Sequence, residues 1–142
     1  KEIVEKLRNK SRPYLFSNNM VPAVSAVAIA ILDDLKISQG LIQKLVDNSA
    51  YFRKKMTDAG FNLRAGNHPI IPVMFGDNEK LASDFAKDLI EKESIYAVAF
   101  SFPVVPKGEA RIRVQISASH NKNHLDKAVE AFIKVGKKYK II

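Results

Sequence analysis

Two arginines two residues apart, Arg111 and Arg113, carry the first chemistry the sequence offers. They lie in the stretch Phe102–His120, FPVVPKGEARIRVQISASH, after two prolines and a Lys107-Gly108 pair. Ala110–Ser117 alternates as a strand does, so both arginines point to one face, and Ile112 and Val114 point to the other. A guanidinium facing a cleft grips a carboxylate through two parallel hydrogen bonds. The same spacing also describes a solvated face of an antiparallel strand, and spacing alone fits that reading better. The prolyl turn just before the strand shifts the balance toward anion recognition.

A second polar group, Ser17, Asn18 and Asn19, precedes an apolar run that begins with Val21-Pro22. Free N–H groups and the helix dipole make a helix start a place for phosphate, while simple N-capping by Asn18 or Asn19 is the plainer role. His68, His120 and His124 show no metal-ligand spacing, and His120 beside Asn121 reads as a helix-entry residue. Lys107 beside Gly108 reads as solvated. The sequence contains no phosphate-binding Gly-rich loop, no dinucleotide fingerprint, no nucleophile elbow and no zincin motif.

The elements that must position these groups follow from periodicity. Lys1–Lys10 carries one apolar stripe, Ile3, Val4 and Leu7, and Ser11-Arg12-Pro13 ends it. Val21–Leu35 predicts a helix with Pro22 in its first turn, apolar nearly all round and therefore expected to be buried on most sides by further chain or a second subunit. Ser38–Gly60 predicts a long amphipathic helix with Leu41, Leu45, Phe52, Met56 and Ala59 inward and Gly60 at its end. His68–Phe75 predicts an edge strand because of Pro69 and Pro72. Asp77 is the expected cap of a helix striped by Leu81, Phe85 and Leu89. Ile95–Phe102 and Ala110–Ser117 are the next strands, joined by about seven residues as a wide hairpin. Asn121 or Asn123 starts a last helix that buries Leu125, Ala128, Val129, Phe132, Val135 and Tyr139. The expected fold class is α+β: a small, mostly antiparallel sheet of about three strands covered by helices and preceded by long helices.

Composition narrows the classes further. The 142 residues amount to about one domain and suffice for a real core. With no cysteine, disulfides and thiolate metal sites are excluded. The formal charge of +8 fits a solvated basic surface or a nucleic-acid-binding module. The predicted strands lack the exposed aromatics of a base-stacking platform, which counts against the module. The longest apolar run, Val21–Leu32, is too short to span a bilayer and is followed by Asp33-Asp34. The chain begins within a helical pattern and without methionine, as a piece of a longer protein would.

Ser11–Asn18, SRPYLFSN, and VVPKGEARIR at Val104–Arg113, with HPIIPVMFGD at His68–Asp77, resemble the α-oxoamine synthases, pyridoxal-phosphate enzymes of the aspartate-aminotransferase fold. The resemblance extends over nearly the whole chain. It implies the C-terminal domain of a fold-type I pyridoxal-phosphate (PLP) enzyme. Residues 1–37 would close the large PLP-binding domain and form its connecting helix; residues 38–142 would be the small domain. It points to the branch that condenses glycine with acetyl-CoA and releases CoA, or runs the reverse in threonine breakdown. A sister synthase such as 8-amino-7-oxononanoate synthase is the alternative.

In that family Arg113 matches the arginine that holds the substrate carboxylate, and Ser17 and Asn18 match positions that reach the PLP phosphate of the neighbouring subunit. Arg111 has no assigned role. The implied assembly is a homodimer with a shared active site, and neither nucleic acid nor membrane is an expected partner. The implied location is the cytoplasm, or the mitochondrion in a eukaryote. The Schiff-base lysine is expected upstream of Lys1, so no catalytic residue is assigned here and the stretch alone is expected to be inactive. Ser94 and Ser119 depart from the Gly and Ala that are usual at those positions.

Overall fold

Phe132 holds the centre of the second of two compact units, Gln39–Ile142; the first is Lys1–Ser38. The computed structural model describes the backbone of residues 1–142 and every side chain except those of Tyr14, Leu15 and Gln39. The Tyr14 and Leu15 side chains of the SRPYLFSN motif therefore lie outside the described residues.

The first unit contains α1 (Glu2–Lys10), a single turn α2 (Arg12–Leu15) and α3 (Pro22–Ile37). Ser11, in extended conformation, separates the first two; Arg12, the residue before Pro13, is not pushed out of the helical region but opens α2. α3 begins at Pro22 as expected, but its N-cap is Val21 and no side chain caps it. Asn18 instead takes a left-handed turn at φ 47, where its short polar side chain is tolerated. The expected capping by Asn18 or Asn19 is therefore not made. Nor is α3 buried among the described residues: Val24, Val27, Ile29, Ile31 and Leu32 are all exposed.

The second unit runs α4 (Gln39–Asp58), β1 (Ile70–Gly76), α5 (Glu79–Glu93), β2 (Val98–Phe100), β3 (Ala110–Gln115) and α6 (Lys122–Lys138). α4 ends two residues before Gly60, whose φ of 95 turns the chain out while the Phe61 N–H returns to the Met56 carbonyl. α5 is capped by Asn78 rather than Asp77: the Asn78 side chain accepts from the Leu81 N–H at 3.1 Å. α6 starts at Asn121, whose side chain accepts from the His124 N–H at 2.9 Å.

The sheet order is β1-β3-β2, and both pairings are antiparallel. β1 is an edge strand of the sheet, the place that Pro72 within it and Pro69 just before it favour. β2 is shorter than Ile95–Phe102, the span expected from its composition. At its start Ser94 takes a left-handed turn and the Ile95 N–H is spent on the Leu89 carbonyl; at its end Phe102-Pro103 leaves the ladder. β3 likewise stops at Gln115: the Ile116 N–H still reaches the Pro69 carbonyl in the same register, but Pro69 has no N–H to return, and Ser117 enters a turn closed on His120. The helices cover one face. On it Ile71 pairs with Val114 and Val73 with Ile112.

The core between that face and the helices is built on phenylalanines. Phe132 packs against Phe85, Phe61 and Phe52 with centroids 5.7, 5.9 and 6.4 Å apart. It draws α4, α5, α6 and the loop before β1 onto one ring. The helix ends are pinned by Asp88, only 6% exposed. Its carboxylate accepts from Lys138 and Tyr139 and pairs with Lys92 at 2.6 Å. The Lys138 hydrogen bond, then that of Lys92, holds its pKa down to about 2 against the cost of burial. No helix among the described residues is long and apolar enough to cross a membrane.

Two measurements check this core. Phe132→Ala is expected to cost about 3–5 kcal/mol in denaturant unfolding. Because the folded pKa of Asp88 is depressed, its contribution is present above the ordinary value of 3.8 and is lost as pH falls from there through about 2. Asp88→Asn should flatten the stability–pH curve in that window; an unchanged slope would assign acid sensitivity elsewhere.

Candidate functional site

The sheet face away from the helices is where the site groups collect. β3 is the central strand, so its outward residues stand beside those of both neighbours. Gln115 lies opposite Ile70, Arg113 opposite Pro72 and Val98, and Arg111 opposite Met74 and Phe100. Arg111 and Arg113 thus share one face, as their spacing predicts.

Their surroundings differ. Arg111 is 21% exposed and its Nη1 lies 3.1 Å from the Glu109 carboxylate, which also takes Arg64 at 2.8 Å. One carboxylate shared by two guanidiniums leaves Arg111 committed within the fold. Arg113 is exposed, and no acid among the described residues lies within ion-pair distance of it. Its guanidinium carbon sits 4.7 Å from the centroid of the Phe100 ring. It opens into a shallow recess of about 220 Å³ with Tyr96, Ala97, Val98 and Gln115. Tyr96 is 85% exposed. A free guanidinium beside an amide and a phenol, over small apolar residues, is equipped to receive a carboxylate.

The strand is delivered to this position by two turns. Before it, Gly108 has φ 80, and a Cβ there would lie 3.1 Å from the Asp77 carboxylate. Glycine meets both demands. Lys107 is not on the sheet face; its ammonium stands 5.2 Å from the Phe102 ring centroid. After it, Asn48 of α4, 8% exposed, donates from one amide to the carbonyls of Ser117 and His120 at 3.1 and 2.9 Å. His120 Nδ1 accepts from the Ser117 N–H at 3.2 Å. His120 therefore ties the helix entry, and burial, then His124, lowers its pKa. His120 and His124 line a larger recess of about 380 Å³ with Tyr96, Gln115 and Phe52.

Ser17 and Asn18 stand together in the first unit, between α2 and α3; Arg113 belongs to the second. Both side chains are exposed, and no side chain caps the start of α3.

Sequence reasoning missed Glu109, Phe100 and Asn48. Glu109 is two residues before Arg111, so its same-face placement was available from alternation. The Phe100 and Asn48 contacts depend on strand register and on a pairing across 69 residues.

A family model described as aminotransferase class I and II matches residues 1–132. The chain belongs to that family. Among relatives, it is 48% identical over 142 residues to the 2-amino-3-ketobutyrate coenzyme A ligase of Escherichia coli K12, covering 100% of this chain and 35% of that protein. The mitochondrial enzyme of that name from Mus musculus is 50% identical over 135 residues, 95% of this chain and 32% of that protein. The 8-amino-7-oxononanoate synthase of Thermosipho melanesiensis is 45% identical over 142 residues, 100% and 36% of the two chains. These likenesses place this aminotransferase-family chain among the α-oxoamine synthases. It spans about a third of the length of the curated relatives it matches.

Among solved structures, Sphingomonas wittichii serine palmitoyltransferase matches with TM-score 0.81 and 25% identity over 98% of this chain and 35% of that one. A further serine palmitoyltransferase structure, determined with PLP, matches with TM-score 0.81 at 24% identity over 98% and 35% of the two chains. The architecture is that of the C-terminal part of a fold-type I PLP enzyme.

The Asn48 latch generates one prediction. Asn48→Ala strips two carbonyls of their donor, so it should cost about 1–3 kcal/mol. Hydrogen exchange should quicken at Ser117–His120 before it quickens in the core.

Proposed function

We propose that this chain is the C-terminal part of a PLP-dependent acyltransferase that condenses glycine with acetyl-CoA to 2-amino-3-ketobutyrate and CoA, or runs the reverse in threonine degradation. Near-half identity to 2-amino-3-ketobutyrate coenzyme A ligases along all 142 residues supports the class. The observation that carries the substrate half is the uncommitted guanidinium of Arg113 on the open sheet face.

In this reading Arg113 binds the glycine carboxylate through two N–H donors and fixes the orientation of the α-carbon. Ser17 and Asn18 hold the phosphate of the PLP bound to the neighbouring subunit, which makes a homodimer the working unit. When bound, the cofactor supplies an electron sink for the charge that develops at the glycine α-carbon. The α-carbon gives up a proton, a C–C bond joins it to the acetyl carbonyl carbon, the thioester C–S bond breaks, and the departing CoA thiolate takes up a proton. Residues 1–37 close the cofactor-binding domain and supply its connecting helix, and residues 38–142 form the small domain that carries Arg113. Glu109 keeps Arg111 out of competition for the carboxylate.

A second reading, 8-amino-7-oxononanoate synthase, draws on the 45% identity to the Thermosipho protein. Product formation from glycine and acetyl-CoA separates the two.

In the full-length protein, Arg113→Ala is expected to leave the visible absorbance of bound PLP intact. It should weaken glycine binding at least about tenfold, the scale of a charge-assisted hydrogen-bond pair. Reduced turnover with unchanged glycine affinity would remove Arg113 from the carboxylate role.

A further inference from the structure

Phe100 lies on β2 diagonally across from Arg113: the register sets Val98 opposite Arg113 and Phe100 opposite Arg111. All four side chains are on the open face, and diagonal neighbours of this size reach one another. Arg111 would be the nearer cation for the Phe100 ring, but its guanidinium is drawn to Glu109 at 3.1 Å. The ring therefore serves Arg113, whose guanidinium carbon is 4.7 Å from its centroid. Phe100 itself is half-buried.

Geometry gives this stack a consequence. A guanidinium donates its hydrogen bonds in its own plane, at its edge, while an aromatic ring engages its face. A guanidinium lying face-on to the Phe100 ring keeps its donor edge free for a carboxylate. The ring also removes rotamers from a long exposed side chain that would otherwise have to be ordered when the carboxylate binds. We propose that Phe100 is a positioning residue for Arg113: its ring sets the plane and reach of the guanidinium, so that a substrate carboxylate meets a prearranged fork. This inference rests on the carboxylate role of Arg113 and deepens it by assigning the group that prepares that role.

The test uses the full-length protein with PLP bound and four variants: Phe100→Leu, Phe100→Tyr, Arg113→Ala and the Phe100→Leu/Arg113→Ala pair. Glycine affinity is read from the change in visible absorbance on titration, alongside KM for glycine, KM for acetyl-CoA and kcat. Phe100→Leu keeps an apolar side chain but loses the ring face. It is expected to raise the glycine Kd and KM about threefold to tenfold, the scale of a guanidinium–aromatic stack. Both kcat and the acetyl-CoA KM should stay within about twofold of wild type. Phe100→Tyr keeps the ring and should restore glycine affinity. On the Arg113→Ala background, Phe100→Leu should add nothing, since the pair acts through one group.

An unchanged glycine Kd in Phe100→Leu overturns the proposal. So does an equal loss with and without Arg113, or a loss in Phe100→Tyr as large as in Phe100→Leu. Where Phe100→Leu lowers the yield of folded protein, Phe100→Met repeats the comparison with a closer volume. If Arg113→Ala itself leaves glycine affinity intact, the carboxylate reading and this inference fall together. If Arg113→Ala abolishes it while the Phe100 variants do not change it, only this inference falls.

Discussion

The antiparallel register of β3 between β1 and β2 is the constraint on which the rest depends. With Ile112 against Val73 and Val114 against Ile71, the apolar alternation of two strands faces the helices. Arg111, Arg113 and Gln115 then have no alternative to the open face. A slip of one residue would drive both guanidiniums into the phenylalanine core and expose Ile112 and Val114. Burying an unpaired cation there is prohibitive, so the core that stabilises the unit also enforces the orientation of its polar face. Stability and site geometry are consequences of one pairing.

The two ends of β3 show how the remaining freedom is removed. At the entrance, Gly108 turns the chain beside Asp77, and Glu109 ties Arg64 and Arg111 together. At the exit, a single buried amide from Asn48 satisfies two carbonyls of the Ser117–His120 turn, and Asn121 with His124 starts α6. A strand held at both ends and paired on both sides gives Arg113 a backbone that cannot wander. What freedom remains belongs to its side chain.

Much of this fold was legible in the sequence because the deciding signals are local. The stripes of α4, α5 and α6 and the alternation Ala110–Ser117 each follow from residues a few positions apart. Boundaries were less so. Asp77 and Asn78 are equally good caps on paper, and the choice between them depends on where β1 ends. The span Ile95–Phe102 has strand composition throughout, yet its first residue, Ile95, spends its N–H on the Leu89 carbonyl of α5. At the site, spacing treats Arg111 and Arg113 alike. What separates them physically is a carboxylate shared with Arg64, far back in the chain before β1, and no periodicity reports that pairing. The apolar circumference of α3 reads as a buried helix, whereas the described structure leaves it exposed, since periodicity registers the need for a partner and not its presence.

β2 has only three residues in the ladder and lies at the sheet edge. Short edge strands open locally at a free energy well below that of global unfolding. Phe100 is the last of those three residues. The recess beside Arg113 is bounded by the same strand, through Val98. Whatever enters it meets a receptor whose competent fraction is set by the fraying equilibrium of β2, and the apparent dissociation constant is the intrinsic one divided by that fraction. Affinity at this face therefore has a thermal sensitivity of its own, which can change well below the temperature at which the phenylalanine core gives way.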